Sequence, residues 1–401
     1  MSSSKPVVVY GASGYTGRLV AEFLREYNLP FIAAGRDRAR VQAVMERVPG
    51  IDTADYEVVE VEHSVEALSE LFSSARVVCN MVGPFVTYGT EVIQAALNSG
   101  CHYLDTTGEQ PWVKEVDERF GDLFAEKGLV ALPSTANQYT TGDIAANICL
   151  ETPGLDSLDL LNLWGGLPTY ASTQTIFVAL MADHYYLERN EYVKWPPASF
   201  FEVVVPGQHQ TALAMTWSGT AHPVWHKRNP RVANVTALAG VLNRQVMQGA
   251  IQMAQMVEEK IKPLPPDEQR KALSEAAASV QAGMPPRESQ LVNRSVDSVY
   301  ASGPTRAVQC VIHGACNYKQ TALIQAFAAH NLVRGRPRTV GFASACQAFG
   351  HREILGALQS FGFVGEPIVS GHLSPVPAPV FPGTLGQLNG ALVPAEVQAA
   401  G

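Results

Sequence analysis

Charge is scarce in this chain of 401 residues: Asp, Glu, Lys and Arg make up 16%, and 29 Lys plus Arg face 37 Asp plus Glu, a net charge of -8. That balance argues against a nucleic-acid or anionic-membrane surface as the main partner, so phosphate recognition has to be local. Cysteine is sparse as well. The six, Cys79, Cys101, Cys149, Cys310, Cys316 and Cys346, include no C-x-x-C pair, which excludes a disulfide-dense secreted scaffold and leaves reduced thiols. No unbroken apolar run approaches the ~18 residues of a membrane-spanning helix, so no membrane span is expected. MSSSKP carries no cationic leader or apolar h-region before the first motif, and a cytoplasmic location is the expectation. A serine nucleophile elbow, a Walker loop and a zincin motif are all missing, so hydrolase and kinase chemistry has no carrier. None of the 13 tyrosines has Lys four residues later, which removes the Tyr-x-x-x-Lys proton-transfer pair. Metal is not expected either: His222 and His226 are the only dense histidines of the second half, and Pro223 between them argues against a helical ligand pair.

What is present is apolar: 46% of residues are hydrophobic, enough for a globular core, and the length suggests two or three domains at about 150 residues each. Over residues 1–150, short β-branched runs alternate with amphipathic stretches, the pattern of βαβ units and a parallel sheet. Strands are expected at Lys5–Tyr10, Phe31–Ala34, Tyr56–Val61, Val77–Val82, Tyr103–Asp105 and Leu129–Leu132. From 151 to 333 the texture changes to longer strand runs, an aromatic-rich helix around Ile176–Glu191 and a polar helical region from Asn243 to Gln281, and an inserted α+β domain is expected. Residues 334–373 read as a strand-turn-helix return to the first domain, and 374–401 as a Pro/Gly/Ala-rich tail.

The sharpest motif is Gly11-Ala12-Ser13-Gly14-Tyr15-Thr16-Gly17, set between the strand VVVY and the helix RLVAEFLREY. Gly11 allows the tight turn, Gly14 lets backbone approach a pyrophosphate, and Gly17 lets helix and strand pack closely. The helix start at Ser13, Tyr15 and Thr16 adds unpaired N–H groups and a partial positive charge. The second expected strand ends in Gly35-Arg36-Asp37-Arg38, where an acidic residue would favour a ribose 2′-hydroxyl. Arg36 favours a 2′-phosphate, hence NADP(H) over NAD(H). Asp37, pointing inward, would serve the hydroxyl instead.

Together GASGYTGRLVAEFL, AAGRDRARV, VVCNMVGPFVTYGTEVIQAALNSGCHYLDTTGE and VGFASACQAFGHREILGALQSFGF resemble the saccharopine-dehydrogenase-like oxidoreductases, a family that includes saccharopine reductases and trans-acting enoyl reductases. The resemblance implies a Rossmann doubly wound parallel sheet with an inserted α+β second domain, a nicotinamide cofactor and a homodimer. It also implies that Val82, Gly83 and Pro84 approach the cofactor and that Glu109 lies near the nicotinamide. Gln110 departs from the pattern by separating Glu109 from Pro111. The function it implies is NADPH-dependent hydride transfer to a polarised double bond, the C=C of an α,β-unsaturated carbonyl in a largely hydrophobic substrate. Candidate proton donors are Tyr88 and Tyr139, then Glu109 and His222. Two alternatives stand beside this: an imine or opine C=N reductase acting on amino acids, and a non-catalytic NADP(H)-binding scaffold or redox sensor. Four of the five tryptophans fall at Trp164, Trp195, Trp217 and Trp225, where they could line an apolar pocket or simply form core.

Overall fold

A computed structural model of the chain describes residues 5–217, 219–279, 285–373 and 393–394. These form two compact units: one contains the chain through Thr107, Trp112–Thr140 and Tyr318–Phe361, the other Gly108–Pro111, Thr141–Asn317 and the chain from Gly362. The units therefore divide at Thr140 and Asn317, against 150 and 333 expected from composition. The reason for the second shift is visible in the helix Asn317–Arg334. Its Gln325 is hydrogen-bonded to the carbonyls of Asp105 and Thr135, so its helical periodicity serves the first unit. The expected tail lies outside the described residues except Val393–Pro394, which pairs with Phe200–Val204.

In the first unit, β1 (Val7–Tyr10), α1 (Tyr15–Glu26), β2 (Phe31–Gly35), α2 (Arg38–Met45), β3 (Tyr56–Glu60), α3 (Val65–Phe72), β4 (Val77–Asn80), α4 (Phe85–Ser99), β5 (His102–Asp105) and β6 (Val130–Leu132) follow one another. The sheet order is β3-β2-β1-β4-β5-β6, with Gly341–Phe342 added beside β6. All pairings are parallel. Helices on both faces bury VVVY and VVCN completely, which is why these strands read as continuous apolar runs instead of alternating ones. Strand order reverses at β1, and Tyr10 is in register with Ala34 of β2 and Asn80 of β4. The carboxyl ends of three strands are thereby level at the point where this fold class binds dinucleotides. This is the doubly wound α/β fold.

The second unit is built on a mixed, 10-stranded sheet. Its centre is Ser157–Trp164, parallel to Asn234–Val241 and antiparallel to Arg294–Ser302. The aromatic-rich helix expected to reach Glu191 stops at Leu180. Beyond it, Tyr185–Glu188 and Glu191–Lys194 form a hairpin whose two-residue turn, Arg189 and Asn190, has φ of 52° and 60°. That is the paired positive-φ conformation a tight hairpin requires. The polar helical region resolves into Arg244–Met256 and Pro266–Ser279, and its expected end at Gln281 lies outside the described residues. Trp195 packs with Tyr186 and Phe201 in a buried core cluster, and Trp164 lies in another. Most of the aromatic excess is core.

Candidate active site

The glycine turn is tied to the end of β2: the backbone N–H groups of Gly11 and Ala12 both donate to Ala34 O, at 2.9 and 3.2 Å. Gly11 has φ of +87°, and a Cβ there would lie 2.8 Å from Val82 Cγ2, so Val82 is brought directly against the turn. At Gly17 a Cβ would lie 2.4 Å from Gly11 O and 2.8 Å from Ala12 Cα. The glycines are a close-approach device. Gly14 caps α1 without a side-chain hydrogen bond, and no acidic residue occupies the first helical turn, so the helix start is left to an external anion. Ser13 and Thr16 are half-buried beside it. The Tyr15 ring is buried edge-on against Tyr318, 5.1 Å between centroids, and what Tyr15 offers at the helix start is backbone. Gly83 and Pro84 follow, joined by a cis peptide, and Pro84 caps α4.

The three charged residues after β2 separate cleanly. Asp37 turns outward to cap α2, accepting from Arg40 N at 2.9 Å, and Arg38 donates to Val58 O at 2.5 Å. Arg36 is exposed and makes no hydrogen bond or ion pair among the described residues, which leaves its guanidinium for a ligand phosphate. The residues present thus fit a 2′-phosphorylated dinucleotide. Replacing Arg36 with Ala is expected to weaken NADPH binding about 10- to 100-fold while leaving NADH binding unchanged, measured by calorimetric titration.

A hydrogen-bond chain runs along the carboxyl ends of β4, β5 and β6. Asn80 Oδ1 accepts from Val82 N at 3.0 Å, and Asn80 Nδ2 donates to Tyr103 Oη at 3.1 Å. Tyr103 Oη and Trp112 Nε1 donate to Asp105 Oδ2 at 2.9 and 2.8 Å. The other carboxylate oxygen accepts from the backbone of Thr107 and Ser134. Burial pushes the Asp105 carboxyl up, and these four donors pull it back. Asp105 therefore holds the rim from which Val82 approaches the cradle. A Cβ on Gly89 would strike the Trp112 ring at 2.4 Å, so α4 is set by the same indole. Tyr88, 39% exposed, places its ring against His63 beyond β3. Tyr139 is buried and opens the helix Tyr139–Leu150 seven residues after β6.

Glu109 and His222 belong to the second unit. Glu109 is buried and its backbone bridges Gly219. Gln110 is the clamp: its Nε2 donates to the carbonyls of Tyr185, Gly219 and Thr220, and its Oε1 accepts from Tyr185 N at 2.7 Å. The departure at Gln110 was the one sequence signal for this role, and its partners lie far along the chain. His222 Nδ1 is 3.2 Å from Thr220 Oγ1, and its ring meets Trp225 edge-on. Contrary to expectation, His222–His226 is helical, because Pro223 occupies the first turn, where proline is tolerated. His226 Nε2 lies 3.3 Å from Asp143, and among the described residues no His/Cys/Asp/Glu group could hold a metal.

Nearby, Asn162 Nδ2 donates to Asp297 Oδ1 at 2.7 Å, and Gly142 fits between Asn162 and His222. Burial raises the Asp297 carboxyl to about 7, against hydrogen bonds from Asn162 and Thr141. Because the fold keeps this proton while the unfolded chain releases it from about pH 4 upward, stability contributed below pH 4 is lost as pH rises towards 7. Asp297→Asn is expected to gain stability over the wild type progressively between pH 5 and pH 8, read as the difference in urea midpoint.

The model described as "Saccharopine dehydrogenase NADP binding domain" matches residues 7–132, and that described as "Family of unknown function (DUF5938)" matches residues 140–373. Similar proteins include a lipid droplet localized protein of Caenorhabditis elegans, 31% identical over 149 residues, 35% of each chain. A saccharopine dehydrogenase-like oxidoreductase of Homo sapiens is 31% identical over 34% of this chain and 35% of its own. A trans-acting enoyl reductase of Mycobacterium ulcerans is 35% identical over 30% of each. The likeness therefore spans about a third of these relatives. Apo saccharopine dehydrogenase (L-Glu forming) from Saccharomyces cerevisiae, 11% identical, superposes with a TM-score of 0.58 over 91% of this chain and 100% of that one, a likeness of fold.

Proposed function

Because the chain belongs to the family of unknown function DUF5938 and carries a saccharopine dehydrogenase NADP binding domain, we propose that this NADP(H)-dependent oxidoreductase reduces the C=C of an α,β-unsaturated carbonyl compound with a largely hydrophobic body. The observation that carries the choice of substrate is the charge of the polar cluster around His222. Gly142 fits between His222 and Asn162, Asn162 Nδ2 donates to Asp297, and His226 lies beside Asp143, with no Lys or Arg among these residues. A cluster without a cation offers no counter-charge to the carboxylates of an amino-acid or keto-acid substrate, which an imine or opine reductase would pair with arginines. The relative named trans-acting enoyl reductase supports the same substrate class.

NADPH supplies the hydride when bound. Gly11, Gly14, Gly17 and the start of α1 hold the pyrophosphate, Arg36 holds the 2′-phosphate, and Val82–Pro84 border the nicotinamide half. Charge developing on the substrate carbonyl needs a donor in a dry site. We assign this to Tyr139, a buried residue that opens a helix seven residues after β6. Tyr139 is preferred to Tyr88, whose ring is set against His63 and is partly exposed. Glu109 and His222 belong to the second unit, where Gln110 clamps Tyr185, Gly219 and Thr220. Among the described residues no helix is long and apolar enough to cross a membrane; the proposal extends to a cytoplasmic homodimer.

The test is a panel of enoyl thioesters, enones and imines incubated with NADPH, with products identified by mass spectrometry. Saturated thioesters or ketones are expected. Turnover confined to imines of amino acids would select the C=N reading, and tight NADPH binding with no turnover on any member would select the scaffold.

A further inference from the structure

Beyond the end of β3 lies a polar cluster that the phosphate cradle does not use. Tyr10 Oη is 2.9 Å from His63 Nδ1, with the two rings nearly parallel at 6.0 Å. The Tyr88 ring meets His63 edge-on at 5.5 Å. On the far side of the imidazole, His63 Nε2 is 3.5 Å from Glu91 Oε2 on α4. That separation is too long for a good hydrogen bond, and neither atom has a hydrogen-bond partner among the described residues. The tautomer in which the Tyr10 hydroxyl donates to Nδ1 is the one that carries the imidazole proton on Nε2, facing Glu91. One unused donor and one unused acceptor therefore stand side by side.

Their place in the sheet says what they face. Gly35 pairs with Glu60, and Val61 N donates to Gly35 O, so Arg36 and His63 leave neighbouring strand ends. A 2′-phosphate on Arg36 puts the base of the same nucleoside one ribose away. Adenine presents an amino donor beside a ring-nitrogen acceptor on one edge, the complement of the Glu91 and His63 pair.

We infer that His63 and Glu91 read the amino edge of the cofactor's adenine: Glu91 Oε2 accepts from the 6-amino group, and His63 Nε2–H donates to the adjacent N7, which stays an acceptor when the amino group is replaced by a carbonyl. Tyr10 and Tyr88 hold the imidazole in place. The inference rests on the assignment of NADP(H) to the glycine cradle. It also gives Tyr88 a role other than proton transfer.

Nicotinamide hypoxanthine dinucleotide phosphate, in which a carbonyl oxygen replaces the amino group, is the probe. By calorimetry the wild-type chain is expected to bind NADP+ at least about tenfold more tightly than this analogue. Glu91→Gln, whose amide can donate to the carbonyl oxygen, is expected to erase or invert that preference while leaving the melting temperature unchanged. Equal binding of the two nucleotides by the wild type, or undiminished preference in Glu91→Gln, would overturn the inference and leave the cofactor assignment standing. Failure of both to bind would overturn the cofactor assignment itself.

Discussion

Gly17→Ala is expected to reduce NADPH affinity by more than a hundredfold. The added methyl would sit 2.4 Å from Gly11 O and 2.8 Å from Ala12 Cα, and both are backbone atoms that cannot rotate away. Relief requires α1 to move off the turn. The turn itself is held to β2 by two hydrogen bonds onto Ala34 O, so helix and turn separate, and the N–H groups at the helix start no longer converge with the glycine backbone on one anion. Losing two or more charge-assisted hydrogen bonds at about 1.5–3 kcal/mol each accounts for a factor of that size. Fluorescence titration with NADPH measures it, and circular dichroism should show the fold retained with a lowered melting temperature. Unchanged affinity would mean that the glycines serve only the turn.

Tyr139→Phe is expected to lower kcat by about 10²–10⁴-fold on whichever unsaturated substrate is accepted, with NADPH affinity unchanged. The substitution removes one oxygen from a buried side chain at the start of a helix, leaving ring packing intact. Tyr88→Phe is the matched control. Its hydroxyl belongs to a ring set against His63, and Phe keeps that ring contact, so turnover should stay within about twofold. If Tyr88→Phe loses turnover and Tyr139→Phe keeps it, the assignment of the donor is wrong.

Local signals carried the first unit. The glycine turn, the helix after it and Arg36 lie within 26 residues of one another, and their meaning follows from a strand before and a helix after. The parallel sheet was legible because strands buried on both faces need runs such as VVVY and VVCN. Residues whose partners are distant in sequence were not legible. Asp105 looks like an ordinary strand-end acid until Tyr103, Trp112 and Ser134 converge on it and Gln325, 220 residues away, holds its carbonyl. Gln110 works through Gly219 and Thr220, more than a hundred residues on. His63 gains its meaning from Tyr10 and Glu91, which sit on two other elements. In the second unit, clustering of tryptophans in sequence does not tell a pocket lining from a core, and Trp195 with Tyr186 and Phe201 is core.

The central claim is that NADPH bound at Arg36 reduces a polarised C=C bond. Its most direct test is the rate of NADPH consumption with a medium-chain enoyl thioester, set against the rate with NADH. NADPH should be oxidised with formation of the saturated thioester, and NADH should be consumed at least about tenfold more slowly at equal subsaturating concentration, as loss of the Arg36–phosphate contact requires. Preference for NADH, or NADPH bound tightly and never oxidised, would contradict it.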